Sequence, residues 1–423
     1  MMWEIIDSTH KEQSFSNSHL FLWGDNLAIM NSGLNSYENE IKIAYIDPPY
    51  NTGTDVGAFS YANKIGDDAW IEYIENRVKA THNLLSEDGL AILTIDDQMI
   101  AELRVLCNEV FGKKNFIATI PISIKPGGRS NDSIIAVEHE YLLIYAKDRN
   151  KVSGNLWPES EKTIKSYKRK DENGFFKMRD FMRTGGHSYP VDRPNSFYCV
   201  RYNENTKEMT PTYSLKDYML SNSIDDFTED LIDKYVSEID NEFSKENCLL
   251  IYPIDSKSKF RIWRRTIPSI KYLIENQLIE IRKDKKKPPS LRIKDYQKKG
   301  VLPRSMWTNS KYDATTYGTK LLKKIIGNNE FSYPKSLNAV KDILQIFLSN
   351  DEDNVVLDIF GGSGTTNHAI LEINKQHNRK HKCITIEQES YIKNVAYKRN
   401  VIVNQTEKYA GNNESIILAK YQQ

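Results

Sequence analysis

The sequence predicts a doubly wound, Rossmann-like α/β sheet with an inserted second region, and three observations carry that prediction. Strand-length apolar runs alternate with helix-length amphipathic runs over residues 20–148 and again over 334–387, the pattern of a parallel sheet covered on both faces. Two of the apolar runs end on an acid and then enter an unusual segment, AYIDPPYNTG at 44–53 and VVLDIFGGSGTT at 355–366. From about residue 150 to 320 the alternation breaks into short aromatic and charged pieces, a composition shift that marks an insert. The expected divisions are 1–150 and 316–423 for the two parts of the sheet domain and 151–315 for the insert.

Taken in order, LFLWGDNLAIM at 20–30 predicts a strand, a turn and a helix start. Ile41, Ile43, Tyr45 and Ile46 predict a short buried strand that runs into Asp47. Proline fixes its own φ and restricts the residue before it, so Asp47, Pro48, Pro49 and Tyr50 form a stiff acidic and aromatic lip rather than a soft turn. Trp70 to Leu85 predicts a helix closed by the turn SEDG at 86–89. LAILTIDD at 90–97 predicts a strand, with Asp96 and Asp97 as a strand-to-helix turn, and MIAELRVLCNEVF at 99–111 a helix. ATIPISI at 118–124 follows, then KPGGRSND at 125–132 as a loop and HEYLLIYAKD at 139–148 as a strand whose His139 bonds locally. After the insert the pattern returns with a helix at 334–349, a strand at 354–360, a helix from about 364 and a strand CITIE at 383–387.

Composition excludes several classes. Charged residues make up 27% and hydrophobic ones 39% of 423 residues, and no apolar run approaches the roughly 20 residues that cross a bilayer. The start, MMWEIIDSTHKEQ, lacks a basic patch followed by an apolar stretch, so no secretory signal is expected. Cys107, Cys199, Cys248 and Cys383 are far apart without a CxxC pair, which argues for a reducing compartment and against a structural zinc site. The net charge of +1 hides an asymmetry: residues 221–247 carry 2 cations against 9 anions, and 255–324 carry 20 against 6. In the acidic stretch Ile224, Phe227, Leu231, Ile232 and Tyr235 stand at helical spacing, predicting a solvated amphipathic helix. RIWRR, IRKDKKKPP and KDYQKK mix cations with aromatics and prolines, a composition suited to phosphate backbones as well as to a solvated surface.

In VVLDIFGGSGTT an apolar strand ends on Asp358, a glycine-rich turn follows, and a helix begins near Thr365. Such a helix start offers free N–H groups and a partial positive end, while glycine lets a ligand approach the backbone closely. A phosphate-binding P-loop needs Lys before the Ser/Thr, and a dinucleotide fingerprint needs GxGxxG; Gly361, Gly362 and Gly364 provide neither pattern. A tight turn without a ligand remains one reading. A small ligand carrying a carboxylate and an amine, held by Asp358 and the helix start, is the other.

Together, DPPYNTG at 47–53 and DIFGGSGTT at 358–366 resemble the motifs of S-adenosylmethionine-dependent amino-methyltransferases acting on DNA, in the permuted order of the β group. GDN at 24–26, LSEDGLAILTIDD at 85–97, HEYLLIYAKD at 139–148 and YPKSLNAVKDIL at 333–344 resemble further blocks of that group, with modification subunits of Type III restriction systems the nearest likeness. The resemblance implies a sheet of about seven strands, a target-recognition insert, and methylation of the N6 amine of adenine in double-stranded DNA. In it the Asp47 carboxylate and the Pro48 carbonyl accept the two amine hydrogens, freeing the nitrogen lone pair and stabilising the charge that develops there. Tyr50 stacks on a target base that has left the duplex, and Pro49 helps fix the spacing. S-adenosylmethionine, leaving as S-adenosylhomocysteine, is the implied cofactor, with no metal. Its implied contacts are Asp25 on the cofactor's adenine amine, Asp358, Phe360, Gly361, Gly362, Ser363, Gly364, Thr365 and Thr366 around the methionine part, Glu387 on the ribose hydroxyls, and Lys335 and Ser336 closing the site.

Recognition of DNA is expected in the loop at 125–132, through Lys125 and Arg129, and in the middle region with RDFMRTGG, DRPNSFY, RIWRR and KDKKK, through Arg183, Arg264 and Arg265. Cytosine-N4 methylation is an alternative, although that group more often has Ser in place of Asp47; a non-catalytic DNA-binding relative is another. The resemblance also implies a bacterial or phage-encoded protein working beside DNA in the cytoplasm, away from any membrane. A homodimer and a separate helicase-nuclease restriction subunit are both compatible with it.

Overall fold

The computed structural model describes residues 3–10, 14–51, 66–128, 134–228, 230–244, 246–284, 287–327 and 331–422. The chain divides into two compact units, residues 1–157 with 302–423, and residues 158–301. The sequence put the second boundary at 315/316, yet the segment from 302 belongs to the first unit. There Trp307 makes a β-bridge with Ile122 and stacks on Tyr312 at 5.0 Å, and the Ala314 N–H donates to the Ile124 carbonyl at 2.8 Å.

Among the described residues the first unit is built on nine strands, β1 (Trp3–Ser8), β2 (His19–Trp23), β3 (Ile41–Ile46), β4 (Leu85–Ile95), β5 (Phe116–Ser123), β6 (His139–Ala146), β7 (Val355–Asp358), β8 (Lys382–Glu387) and β9 (Ile416–Tyr421). Their order across the sheet is β1-β9-β2-β8-β7-β3-β4-β6-β5. Neighbours from β9 through β4 run parallel, whereas β1, β6 and β5 join antiparallel. The doubly wound sheet is as expected, with nine described strands where about seven were expected, three of them joining antiparallel. β1 and β9 come from opposite ends of the chain and pair Trp3 with Tyr421, a match that no local pattern displays.

The predicted turn SEDG also reads differently. β4 starts at Leu85, and Ile41 faces Leu85 while Ile43 faces Leu90, so residues 86–89 bulge out of a strand already begun. Gly89 is needed there because a Cβ would sit 2.7 Å from the Ile41 carbonyl oxygen.

β3 (IKIAYI) is buried along its whole length, as a strand covered on both faces must be. Ile41, Ala44 and Ile46 pack with Trp70, Ile74 and Val78 of α1 (Asp67–Leu84) and with Leu103 and Leu106 of α2 (Ile100–Phe111). Ile43 and Tyr45 pack instead with Val340, Ile343 and Leu344 of α3 (Leu337–Phe347) and with Ile370 and Ile373 of α4 (Thr365–His377). The chain leaves β3 through α1 on one face and leaves β7 through α4 on the other. The direction of winding therefore reverses between these two adjacent strands, and a crevice opens at their carboxyl ends, where doubly wound sheets bind ligands.

The second unit contains a three-stranded antiparallel sheet (Tyr198–Asn203, Met209–Ser214, Cys248–Ile251) and a four-stranded one (Arg169–Asp171, Gly174–Asp180, Ile279–Asp284, Lys287–Tyr296). A core of Phe181, Tyr198, Trp263 and Leu291 lies within it. The acidic stretch forms a helix over Leu231–Glu242 that buries Leu231, Tyr235 and Ile239; Ile224 and Phe227 precede it. No helix among the described residues is long and apolar enough to cross a membrane.

Candidate active site

The two unusual segments, about 310 residues apart, leave neighbouring parallel strands. Asp358, the last residue of β7, stands opposite Tyr45 of β3, so Asp47 and the glycine turn share one crevice. Asp358 is 3% exposed. Burial pushes its carboxyl up to about 7, the Thr366 hydroxyl and the Phe360 N–H oppose the shift, and the Asp47 and Glu387 charges add to it. The native state holds this proton more tightly than the unfolded chain does. That contribution to stability is complete below a pH of about 4 and is lost as pH rises through about 7. Relative to Asp358→Asn, the cofactor-free wild type is expected to lose on the order of 3 kcal/mol between about pH 5 and pH 8. Denaturant unfolding of both proteins across that range is the check, and parallel stability profiles would refute it.

The proline lip is fixed from below. Trp70 is fully buried, and its indole N–H donates to the Pro49 carbonyl at 2.7 Å. Gln98 Nε2 donates to the Asn51 carbonyl at 2.6 Å and Asn51 Nδ2 to Asp67 Oδ1 at 3.0 Å. Thr52 and Gly53, the end of the expected motif, lie outside the described residues. Trp70→Phe keeps most of the ring but removes the bond to the lip. The expected cost is about 1 kcal/mol in unfolding experiments, with a slower reaction at the lip; equal stability and rate would sink this reading.

Above the lip, Thr94 Oγ1 donates to Asp47 Oδ1. Lys335 Nζ stands 3.0 Å from the same oxygen and 2.8 Å from Glu140 Oε2, bonds to the Tyr50 hydroxyl and lies 4.5 Å from the centre of the Tyr50 ring. The Tyr50 hydroxyl donates to Glu140 Oε2 at 3.0 Å. Burial, then the Glu140 and Asp47 charges, drive the Tyr50 hydroxyl well above its ordinary pKa. Burial works to deprotonate Lys335, yet Asp47 and Glu140 outweigh it and raise the ammonium to about 12.

The glycine turn is tied to the neighbouring strand. The Gly361 N–H donates to the Ile386 carbonyl at 2.9 Å and the Gly362 N–H to Glu387 Oε2 at 2.9 Å. Glu387 also accepts from the Tyr391 hydroxyl at 3.0 Å and the Glu389 N–H at 3.0 Å, so it clamps the turn as well as ending β8. Gly364, at φ +70°, precedes the first residue of α4. Ser363 and Thr365 turn their hydroxyls inward: Arg399 Nη1 donates to Ser363 Oγ at 3.1 Å and to Thr365 Oγ1 at 2.8 Å. Of these two residues, only the backbone is left for the open side. Phe360 is buried, 6.4 Å from the ring of Tyr73.

Asp25 caps the short helix Asn26–Ala28 and pairs with Arg77 Nη2 at 3.0 Å. Arg77 Nε donates to Asn26 Oδ1 at 2.6 Å, and Asn26 Nδ2 to the Ile359 carbonyl at 2.7 Å, which links GDN to the end of β7. Ser336 is 1% exposed, and its hydroxyl has no hydrogen-bond partner among the described residues. Lys125 is exposed, Arg129 lies outside the described residues, and Arg183, Arg264 and Arg265 belong to the second unit, where Arg264 and Arg265 are exposed. His139 bonds to the Tyr141 hydroxyl at 2.9 Å, and that hydroxyl donates to Asp97 at 2.7 Å. No group of three or more His, Cys, Asp or Glu suited to a metal occurs among the described residues.

Sequence reasoning missed Thr94, Glu140, Trp70, Arg77, Asn26 and Arg399. Their signals were polar groups in apolar patterns: Thr94 inside LAILTI, Glu140 at the head of a buried strand, Arg77 on the buried stripe of α1.

Burial raises the Asp358 carboxyl, and the Asp47 and Glu387 charges in the crevice add to that rise. A cationic ligand with further hydrogen-bonding groups relieves that excess of negative charge. The sulfonium and ammonium of S-adenosylmethionine fit this requirement.

A family model described as DNA methylase matches residues 41–398. The Type III restriction-modification enzyme EcoPI Mod subunit of Escherichia phage P1 is 28% identical over 424 residues, 91% of this chain and 60% of that protein. The Type II methyltransferase M.KpnI of Klebsiella pneumoniae is 28% identical over 393 residues, covering 90% of this chain and 84% of that one. The Type III restriction-modification enzyme EcoP15I Mod subunit of Escherichia coli is 24% identical over 421 residues, 90% of this chain and 60% of its own. The chain thus spans 60% of the length of both Mod subunits.

Proposed function

This chain belongs to the DNA methylase family, and on that premise we propose that it transfers a methyl group from S-adenosylmethionine to the N6 amine of adenine in double-stranded DNA. The observation that carries the proposal is the pairing of Asp358 with Tyr45, which sets an acceptor lip and a cation-seeking turn at adjacent strand ends. The Asp47 carboxylate and the Pro48 carbonyl accept the two N–H groups of the target amine. The lone pair is thereby drawn out of conjugation, and positive charge developing on nitrogen meets a carboxylate already in place. Tyr50 offers the flipped base a ring face, and the two prolines, with Trp70 beneath, keep ring and acceptors at constant spacing.

When bound, S-adenosylmethionine supplies an electrophilic methyl group. Asp358, Phe360 and the backbone from Gly361 to Thr366 would hold its methionine part, Glu387 its ribose, and Asp25 its adenine, with Ser336 offering a hydroxyl that has no partner among the described residues. Asp47 rather than serine favours adenine over cytosine. Lys125, Arg129, Arg183, Arg264 and Arg265 would contact DNA phosphates. The names of the relatives support a restriction-modification setting; cleavage would then fall to a separate restriction subunit, and the methylase would work alone or as a homodimer. Long-read sequencing of DNA from cells expressing the wild type, read for modified adenines and cytosines, tests base and site together. No modification above the empty-vector control would overturn the proposal.

A further inference from the structure

The sequence groups Lys335 with the cofactor contacts, but its surroundings belong to the other half of the crevice. An ammonium has three N–H donors, and here they meet Asp47 Oδ1, Glu140 Oε2 and the Tyr50 hydroxyl. Its side chain is 17% exposed and that of Glu140 6%. We infer that Lys335 is a positioning residue for the target base, setting Asp47 and Tyr50 against the counter-charge of Glu140, rather than a ligand of the cofactor. This inference rests on the methyl-transfer reading above.

Charge and orientation both support it. Thr94 and Lys335 meet Asp47 on the same oxygen, Oδ1, which holds the carboxylate in one rotamer and, among the described residues, leaves Oδ2 for an incoming N–H. Asp47 and Glu140 are both within contact of a single nitrogen atom. The positive charge of that nitrogen offsets the repulsion between the two carboxylates that meet it. Removing the ammonium leaves that repulsion uncompensated beside the acceptor oxygen. Lys335 also fixes the Tyr50 ring by bonding its hydroxyl.

The test uses the full chain, unmethylated genomic DNA and tritiated S-adenosylmethionine. Single-turnover methyl transfer and cofactor affinity by titration calorimetry are measured for the wild type, Lys335→Met, Glu140→Gln and the double variant. Lys335→Met is expected to slow transfer about 10- to 100-fold, with cofactor affinity within about threefold of wild type. The double variant, which leaves no unpaired carboxylate at position 140, is expected to be faster than Lys335→Met alone, a coupling that simple loss of packing would not produce. Its balanced charge also keeps the comparison readable if Lys335→Met folds poorly. Cofactor affinity lost more than about tenfold with the saturated rate intact, or losses that merely add in the double variant, would overturn the inference and leave methyl transfer standing. A wild type that transfers no methyl group overturns both.

Discussion

Asp47→Ala is expected to lower methyl transfer by about 10²- to 10³-fold, the scale seen when one preorganised electrostatic partner of a transition state is removed. Cofactor affinity should stay within about threefold of wild type, because Asp47 follows β3 whereas the glycine turn hangs on β8 through Gly361 and Gly362. The fold should tolerate the change. Lys335 keeps Glu140 at 2.8 Å, so its ammonium is not orphaned, and Thr94 is the group that loses its carboxylate partner. One carboxylate fewer also removes a charge that raises Asp358, which eases ionisation of the acid expected to meet the cationic cofactor. Single-turnover transfer of a tritiated methyl group to unmethylated DNA, beside calorimetric cofactor titration, separates the two effects. Activity within about tenfold of wild type would remove Asp47 from the chemistry.

The second large effect is expected on the cofactor side, from Gly364→Ala. At φ +70° an L-residue costs roughly 1–2 kcal/mol in the left-handed region. The new Cβ would also lie 2.5 Å from Asn400 Nδ2 and 3.0 Å from the Ala396 carbonyl oxygen. Asn400 cannot simply swing aside, because Nδ2 donates to the Gly364 carbonyl at 3.0 Å and to the Ala396 carbonyl at 2.8 Å. The turn must lift from the helix behind it, and the bonds from Arg399 to Ser363 and Thr365 shift with it. About 3 kcal/mol of stability and at least about tenfold in cofactor affinity should be lost. Gly362→Ala is the comparison: it carries the same left-handed penalty at φ +50°, but the nearest atom to its Cβ is on the edge of the Phe331 ring at 3.1 Å, and a milder loss is expected. Denaturant unfolding and calorimetry decide the matter; a Gly364→Ala protein as stable as wild type would show that the turn is not held as described.

Much of the sheet was readable because each signal is short in range. The apolar run of β3, the helical spacing of Trp70, Ile74 and Val78, and the acid at the end of β7 and of β8 are visible within a dozen residues. The failures have a common cause. β1 and β9 meet across the whole chain, SEDG became a bulge because Ile41 and Leu85 pair, and residues 302–315 joined the sheet domain through a bridge between Ile122 and Trp307. Each of these depends on a partner that the local window does not contain.

The order of the crevice residues along the chain, and the chemistry each can perform, were written in the sequence: a rigid acceptor lip from Asp-Pro-Pro-Tyr, a backbone approach from three glycines, and acids at strand ends. Their mutual charges were not. Lys335 meets Tyr50 across 285 residues and Tyr50 meets Glu140 across 90, and only folding made one ammonium the neighbour of two carboxylates. Propensity and turn chemistry act along the chain, whereas Coulomb energy and desolvation depend on distance in space and on exclusion of water. For that reason tertiary structure alone decided which acid is pushed towards neutrality, which serine is turned inward, and which lysine stands beside the reacting carboxylate.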